Sequence, residues 1–114
     1  MNLKQLTKYR SNYSSSKFWN KLTKYAKSLG KETVYHALLL YYVMIDRKTP
    51  WKYKAIIAGA LGYLILPLDA IPDAIPFMGF TDDTAAVIAA FKAIRDAITP
   101  EIEAKAKEKL STWF

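Results

Sequence analysis

The sequence predicts an all-α protein, a small bundle of four to five helices. Three observations predict it. No segment alternates apolar and polar residues at the two-residue period of an amphipathic strand. Two apolar runs, 34–45 and 55–68, lie either side of a short turn and read as an apolar helical hairpin. Amphipathic stretches with a period near 3.6 flank that hairpin on both sides. The 114 residues suffice for one domain with a modest core. Residues 1–33 form a basic arm and amphipathic helix, 34–98 the core, and 99–114 a C-terminal helix. Cysteine is absent, which excludes a disulfide scaffold, a thiolate metal site and a cysteine nucleophile.

Residues 1–16 are basic and end in serines, whose hydroxyls suit a helix N-cap. No apolar signal core occurs in the first 30 residues, so a cleaved secretory signal is not expected. Over 17–29, Phe18, Trp19, Leu22, Tyr25, Ala26 and Leu29 share one helical face. Lys17, Lys21, Lys24, Lys27 and Lys31 fall on the other, and Gly30 is placed to end the helix. Such a basic helix with aromatics in its apolar face can lie on an anionic membrane or pack on a core.

The run VYHALLLYYVMI is apolar all round except for His36, so it belongs in a protein interior or in lipid. The turn DRKTPW follows, with Thr49 as the expected N-cap and Pro50 in the first turn of the next helix. That helix, AIIAGALGYLILPL, carries Gly59 and Gly62 as a strip for close helix approach. Neither run reaches the roughly 18–20 apolar residues of a standard span. From Trp51 the second nears that length if Lys52 and Lys54 snorkel. Two readings stay open: a buried hairpin in a soluble bundle, or a short tilted hairpin in a bilayer.

A helix is expected over 84–98, with Val87, Phe91, Ile94 and Ile98 as its stripe and Thr81 or Asp82 as its cap. Thr99-Pro100 should open a last helix with Ile102, Ala106, Leu110 and Trp113 on its apolar edge. There Glu101 and Glu103 precede Lys105, Lys107 and Lys109, the order a helix dipole favours.

Charge is divided along the chain. Residues 1–54 hold 12 Lys and Arg against Glu32 and Asp46, a net of +10, and residues 55–114 hold 5 against 8 acids, a net of −3. The basic front half suggests an anionic partner. Yet the oily stretch 66–83 carries four aspartates and no base. Asp-Ala-Ile-Pro occurs there twice, and Pro67, Pro72 and Pro76 should break the helix into turns. Asp69, Asp73, Asp82 and Asp83 are then turn-formers and caps, or they converge on a cation or basic partner. Oxygen ligands of this kind suit Mg²⁺ or Ca²⁺ better than Zn²⁺. The only histidine, His36, reads as a gap-filler, and no catalytic arrangement stands out.

The stretch from Leu38 to about Phe91 resembles the YkvA-like family of small uncharacterised membrane proteins. The resemblance rests on Asp46-Arg47-Lys48-Thr49-Pro50-Trp51 and on the block from Tyr63-Leu64-Ile65-Leu66-Pro67-Leu68-Asp69 through Ile71-Pro72-Asp73-Ala74-Ile75-Pro76 to Gly79-Phe80-Thr81-Asp82-Asp83. Arg47 stands where the family has proline, and Phe80 where it has tyrosine. The resemblance implies membrane association and a scaffold or anchor, with no activity assigned. It also marks the aspartate segment as a functional surface.

The expected protein is thus a membrane-associated helical scaffold or anchor. Lys17, Lys21, Lys24, Lys27, Lys31 and Trp19 would meet anionic lipid. The four aspartates would bind Mg²⁺, Ca²⁺ or a basic partner. A protein partner or a homo-oligomer fits a scaffold, whereas nothing reads bases, so nucleic acid is the weaker partner. The alternatives are a soluble helical binding module whose hairpin is its own core, and a metal-dependent enzyme built on the aspartates.

Overall fold

The computed structural model describes residues 13–70 and 81–114, with side chains described for 13–64 and 86–114. The described residues form five α-helices: α1 (Ser15–Leu29), α2 (Lys31–Ile45), α3 (Trp51–Ala70), α4 (Thr81–Ala93) and α5 (Pro100–Leu110). One 3₁₀ turn, Arg95–Ala97, joins α4 to α5. No strand occurs among them. The all-α expectation holds.

α2 is the central helix and packs against all four others. Its consecutive residues Ala37, Leu38, Leu39 and Leu40 are all buried, which only a helix covered on every side can achieve. α3 adds Ile56, Ile57, Ala60, Leu61 and Leu64, and α4 adds Ala86, Val87 and Ala90. α1 contributes Phe18, Leu22, Tyr25, Ala26 and Leu29, and α5 contributes Ile102, Ala106 and Leu110. These residues form one core. Most of the hairpin's described side chains are therefore covered by protein, with Ile45 at the end of α2 left exposed.

Among the described residues, no helix is long and apolar enough to cross a membrane. The expectation of a transmembrane hairpin gains no support. The reason is geometric for α2: its 15 residues span about 22 Å against about 30 Å of hydrocarbon.

Five helix boundaries differ from expectation. α2 begins at Lys31, so this lysine belongs to the central helix and not to the basic one. Gly30 separates them at φ 93°, ψ 152°. The Thr49 hydroxyl donates to the buried Val43 carbonyl (2.7 Å) instead of capping α3. The Pro50 carbonyl takes the first α3 amides, from Tyr53 (3.0 Å) and Lys54 (3.2 Å). α3 continues through Pro67 to Ala70, because a proline near a helix end removes one hydrogen bond and leaves the others. α4 starts at Thr81 itself and stops at Ala93, and Ile94 (φ −110°, ψ 15°) turns the chain into the 3₁₀ segment. The start of α5 is as expected, with Thr99 Oγ1 accepting the Ile102 N–H at 3.2 Å.

Candidate functional site

α1 separates its two faces cleanly. Its inner face is buried, while Lys17, Lys24 and Lys27 are exposed and Lys21 is half-buried. Lys31 is exposed at the start of α2. The helix has no acidic residue in its first turn, and Lys27 lies in its last turn. Ser14 and Ser16 share a side-chain hydrogen bond (3.1 Å), as do Tyr13 and Ser15 (3.0 Å). Lys24 Nζ lies 5.5 Å from the Tyr25 ring centroid.

Trp19 is half-buried at an aromatic joint. Phe18 stacks on Tyr41 at 5.2 Å and 4°, and Trp19 meets the same ring edge-on at 4.8 Å. Trp113 stands 6.4 Å from Trp19. Lys109 Nζ lies over both indoles, 5.3 Å from Trp19 and 5.5 Å from Trp113, in cation–π geometry. Trp19 thus ties α1 to α2 and to the chain after α5. Sequence reasoning missed Lys109, because no spacing within α5 announces a contact with α1.

The α2–α3 turn forms a second basic feature. The Asp46 carboxylate accepts the Lys48 N–H at 3.0 Å, a local turn that leaves Arg47 and Lys48 exposed. Trp51 is 78% exposed and Ile45 53% exposed. Behind the turn, Tyr53 donates from its hydroxyl to both Asp96 carboxylate oxygens (2.9 and 3.1 Å). That bond to a carboxylate holds the phenol above its usual pKa.

A groove of about 600 Å³ opens between the start of α2 and the end of α5. Lys31, Glu32 and Tyr35 face Lys107, Leu110, Ser111 and Phe114 across it. Burial, then the Glu103 carboxylate, pushes the Tyr35 phenol up. His36 lies edge-on to Phe91 at 4.5 Å, with its Nδ1 buried and unpartnered among the described residues. No group of three or more His, Asp or Glu side chains able to hold a metal occurs among them. Asp69 belongs to the last turn of α3, and Asp82 and Asp83 to the first turn of α4. Their side chains, and Asp73 altogether, lie outside the described residues.

Residues 53–89 match the model of a family described as Protein of unknown function (DUF1232). This stretch is similar to that uncharacterised family. The match spans most of α3 and much of α4 and includes all four aspartates, so the expected likeness to an uncharacterised family holds over this block. The lysine face of α1 lies outside it. A search of curated proteins found no match, and neither did a search of solved structures.

Proposed function

We propose that the protein is a small helical anchor that attaches to anionic membrane surfaces through α1, and holds a protein partner or a second copy there. The observation that carries this reading is the lysine face of α1. Four of its basic positions lie on a helix whose opposite face is fully occupied by the core. With most of the hairpin's described side chains packed in the core, attachment is peripheral, and Coulomb attraction supplies most of it. Each lysine near an anionic surface is worth about 1 kcal/mol. Lys31 extends this basic surface onto α2.

Sedimentation with vesicles tests the reading. The protein should pellet with phosphatidylserine-containing vesicles, stay behind with pure phosphatidylcholine, and lose binding as salt rises. Reversing Lys17, Lys24 and Lys27 to Glu should weaken binding at least a hundredfold, since three charges contribute about 3 kcal/mol before repulsion is counted. Equal binding to both vesicle types, or none to either, overturns it.

The acidic segment supports a second part of the proposal. Asp69, Asp73, Asp82 and Asp83 together would take Mg²⁺, Ca²⁺ or a basic partner, because four carboxylates without a base repel one another unless neutralised. Millimolar Mg²⁺ or Ca²⁺ should then raise Tm, and Asp69→Asn with Asp73→Asn should abolish the rise. A Tm indifferent to both cations removes the metal from the proposal.

A further inference from the structure

We infer that the α2–α3 turn is a lipid-inserting tip, with Trp51 entering the headgroup layer of an anionic bilayer. This rests on the membrane-surface reading above and adds where the molecule penetrates. A tryptophan 78% exposed in the first turn of a helix wastes a large apolar surface in water. Ile45, 53% exposed, stands just before the same turn.

The turn is built to hold them outward. Asp46 closes a tight loop onto the Lys48 N–H, and Thr49 ties it to the buried Val43 carbonyl. Pro50 fixes its own φ, and its carbonyl receives the first amides of α3. Trp51 therefore projects from a fixed frame, and little ordering is needed when a partner covers it.

The surrounding charge chooses the partner. Arg47, Lys48 and Lys52 are exposed around the tip. A shallow groove beside Ile45, about 510 Å³ in volume, adds Lys105 and Lys109 against a single Glu108. Two exposed apolar side chains at either end of a turn whose exposed charges, Arg47, Lys48 and Lys52, are all basic match a surface that is anionic outside and oily beneath. A bilayer presents that order, with indole favoured at the interface and lysine stems reaching back to the headgroups. The tip is also continuous with α1. Phe18 and Trp19, next to Lys17, pack on Tyr41, one turn of helix before Ile45.

Tryptophan emission with brominated lipids separates the outcomes. Trp19 and Trp113 already pack on rings and beneath Lys109, which leaves Trp51 to report new surroundings. The full chain is titrated with phosphatidylserine–phosphatidylcholine vesicles, with and without bromine on the acyl chains. Wild type should shift to the blue and be quenched. Trp51→Ala should melt with the parent, show neither signal, and bind about tenfold more weakly. Should wild type pellet with vesicles while its emission stays unmoved, or Trp51→Ala bind as tightly, the tip is wrong and attachment through α1 stands. Should neither protein pellet, both readings fall. A blue shift that follows protein concentration without vesicles would mean a second copy covers Trp51, and would overturn the lipid assignment.

Discussion

At Gly30 the backbone takes φ 93° and ψ 152°, a conformation essentially restricted to glycine. A Cβ built there meets nothing within 4 Å. The penalty of Gly30→Ala is thus backbone strain alone, about 1–3 kcal/mol, with no clash added. Urea unfolding of this variant should show a lower midpoint at unchanged slope, and an unshifted midpoint would mean the α1–α2 junction adopts another geometry. This residue was legible in advance, since a glycine after the last periodic leucine is a chemical stop signal. Thr49 was not. Its position beside Pro50 suggested a cap, yet its hydroxyl reaches back six residues to Val43, a choice made by tertiary packing. Lys109 between two indoles belongs to the same class of residue, one whose role depends on how distant helices cross.

Among the elements, α2 was the most legible. From Val34 onward its composition leaves no polar side except His36, and the fold surrounds it. Its middle and its C-terminal end predict opposite behaviour. Leu38 and Leu40 are completely buried, so Leu38→Ala or Leu40→Ala should destabilise by about 2–5 kcal/mol through lost burial and a residual cavity. Ile45 is more than half exposed, and Ile45→Ala should change stability by less than about 0.5 kcal/mol. Thermal unfolding of the three variants checks both statements. A small effect at Leu38 would mean that α2 is not central. The ends of α3 and α4 were less legible. Proline and aspartate signals near 67–83 suggest turns throughout, yet α3 persists three residues past Pro67, because a proline near a helix end costs one hydrogen bond while the helix before it is held by the packing of Ile56, Ile57, Ala60, Leu61 and Leu64. The break at Ile94 has no proline or glycine to announce it. The stripe of Val87, Phe91, Ile94 and Ile98 nonetheless names residues in or against the core, since the 3₁₀ turn keeps the inward face.

For the molecule as a whole, the segregation of charge is legible in the sequence, and it carries the candidate site. Less readable was the way the bundle distributes its phenols. Tyr13 before α1, Tyr35 and Tyr42 on α2, and Tyr53 on α3 all have pKa values raised from 10.0. Desolvation is the leading cause for the first three, and the hydrogen bond to Asp96 for Tyr53. A raised phenol pKa means the folded state holds its proton more tightly than the unfolded chain does. The resulting stability is complete below about pH 10, the unfolded value, and is lost as pH climbs through the folded values. Stability against urea should therefore fall on the alkaline side of pH 10. Lysines discharge in the same range, so the comparison is made with Tyr13→Phe and Tyr53→Phe, which cannot ionise and should lose less of their stability between pH 9 and pH 11 than the parent does. Phenolate absorbance should rise later in the folded protein than in the unfolded one. If both states titrate together, or the phenylalanine variants decline in parallel with the parent, these phenols contribute nothing to the alkaline limit of the fold.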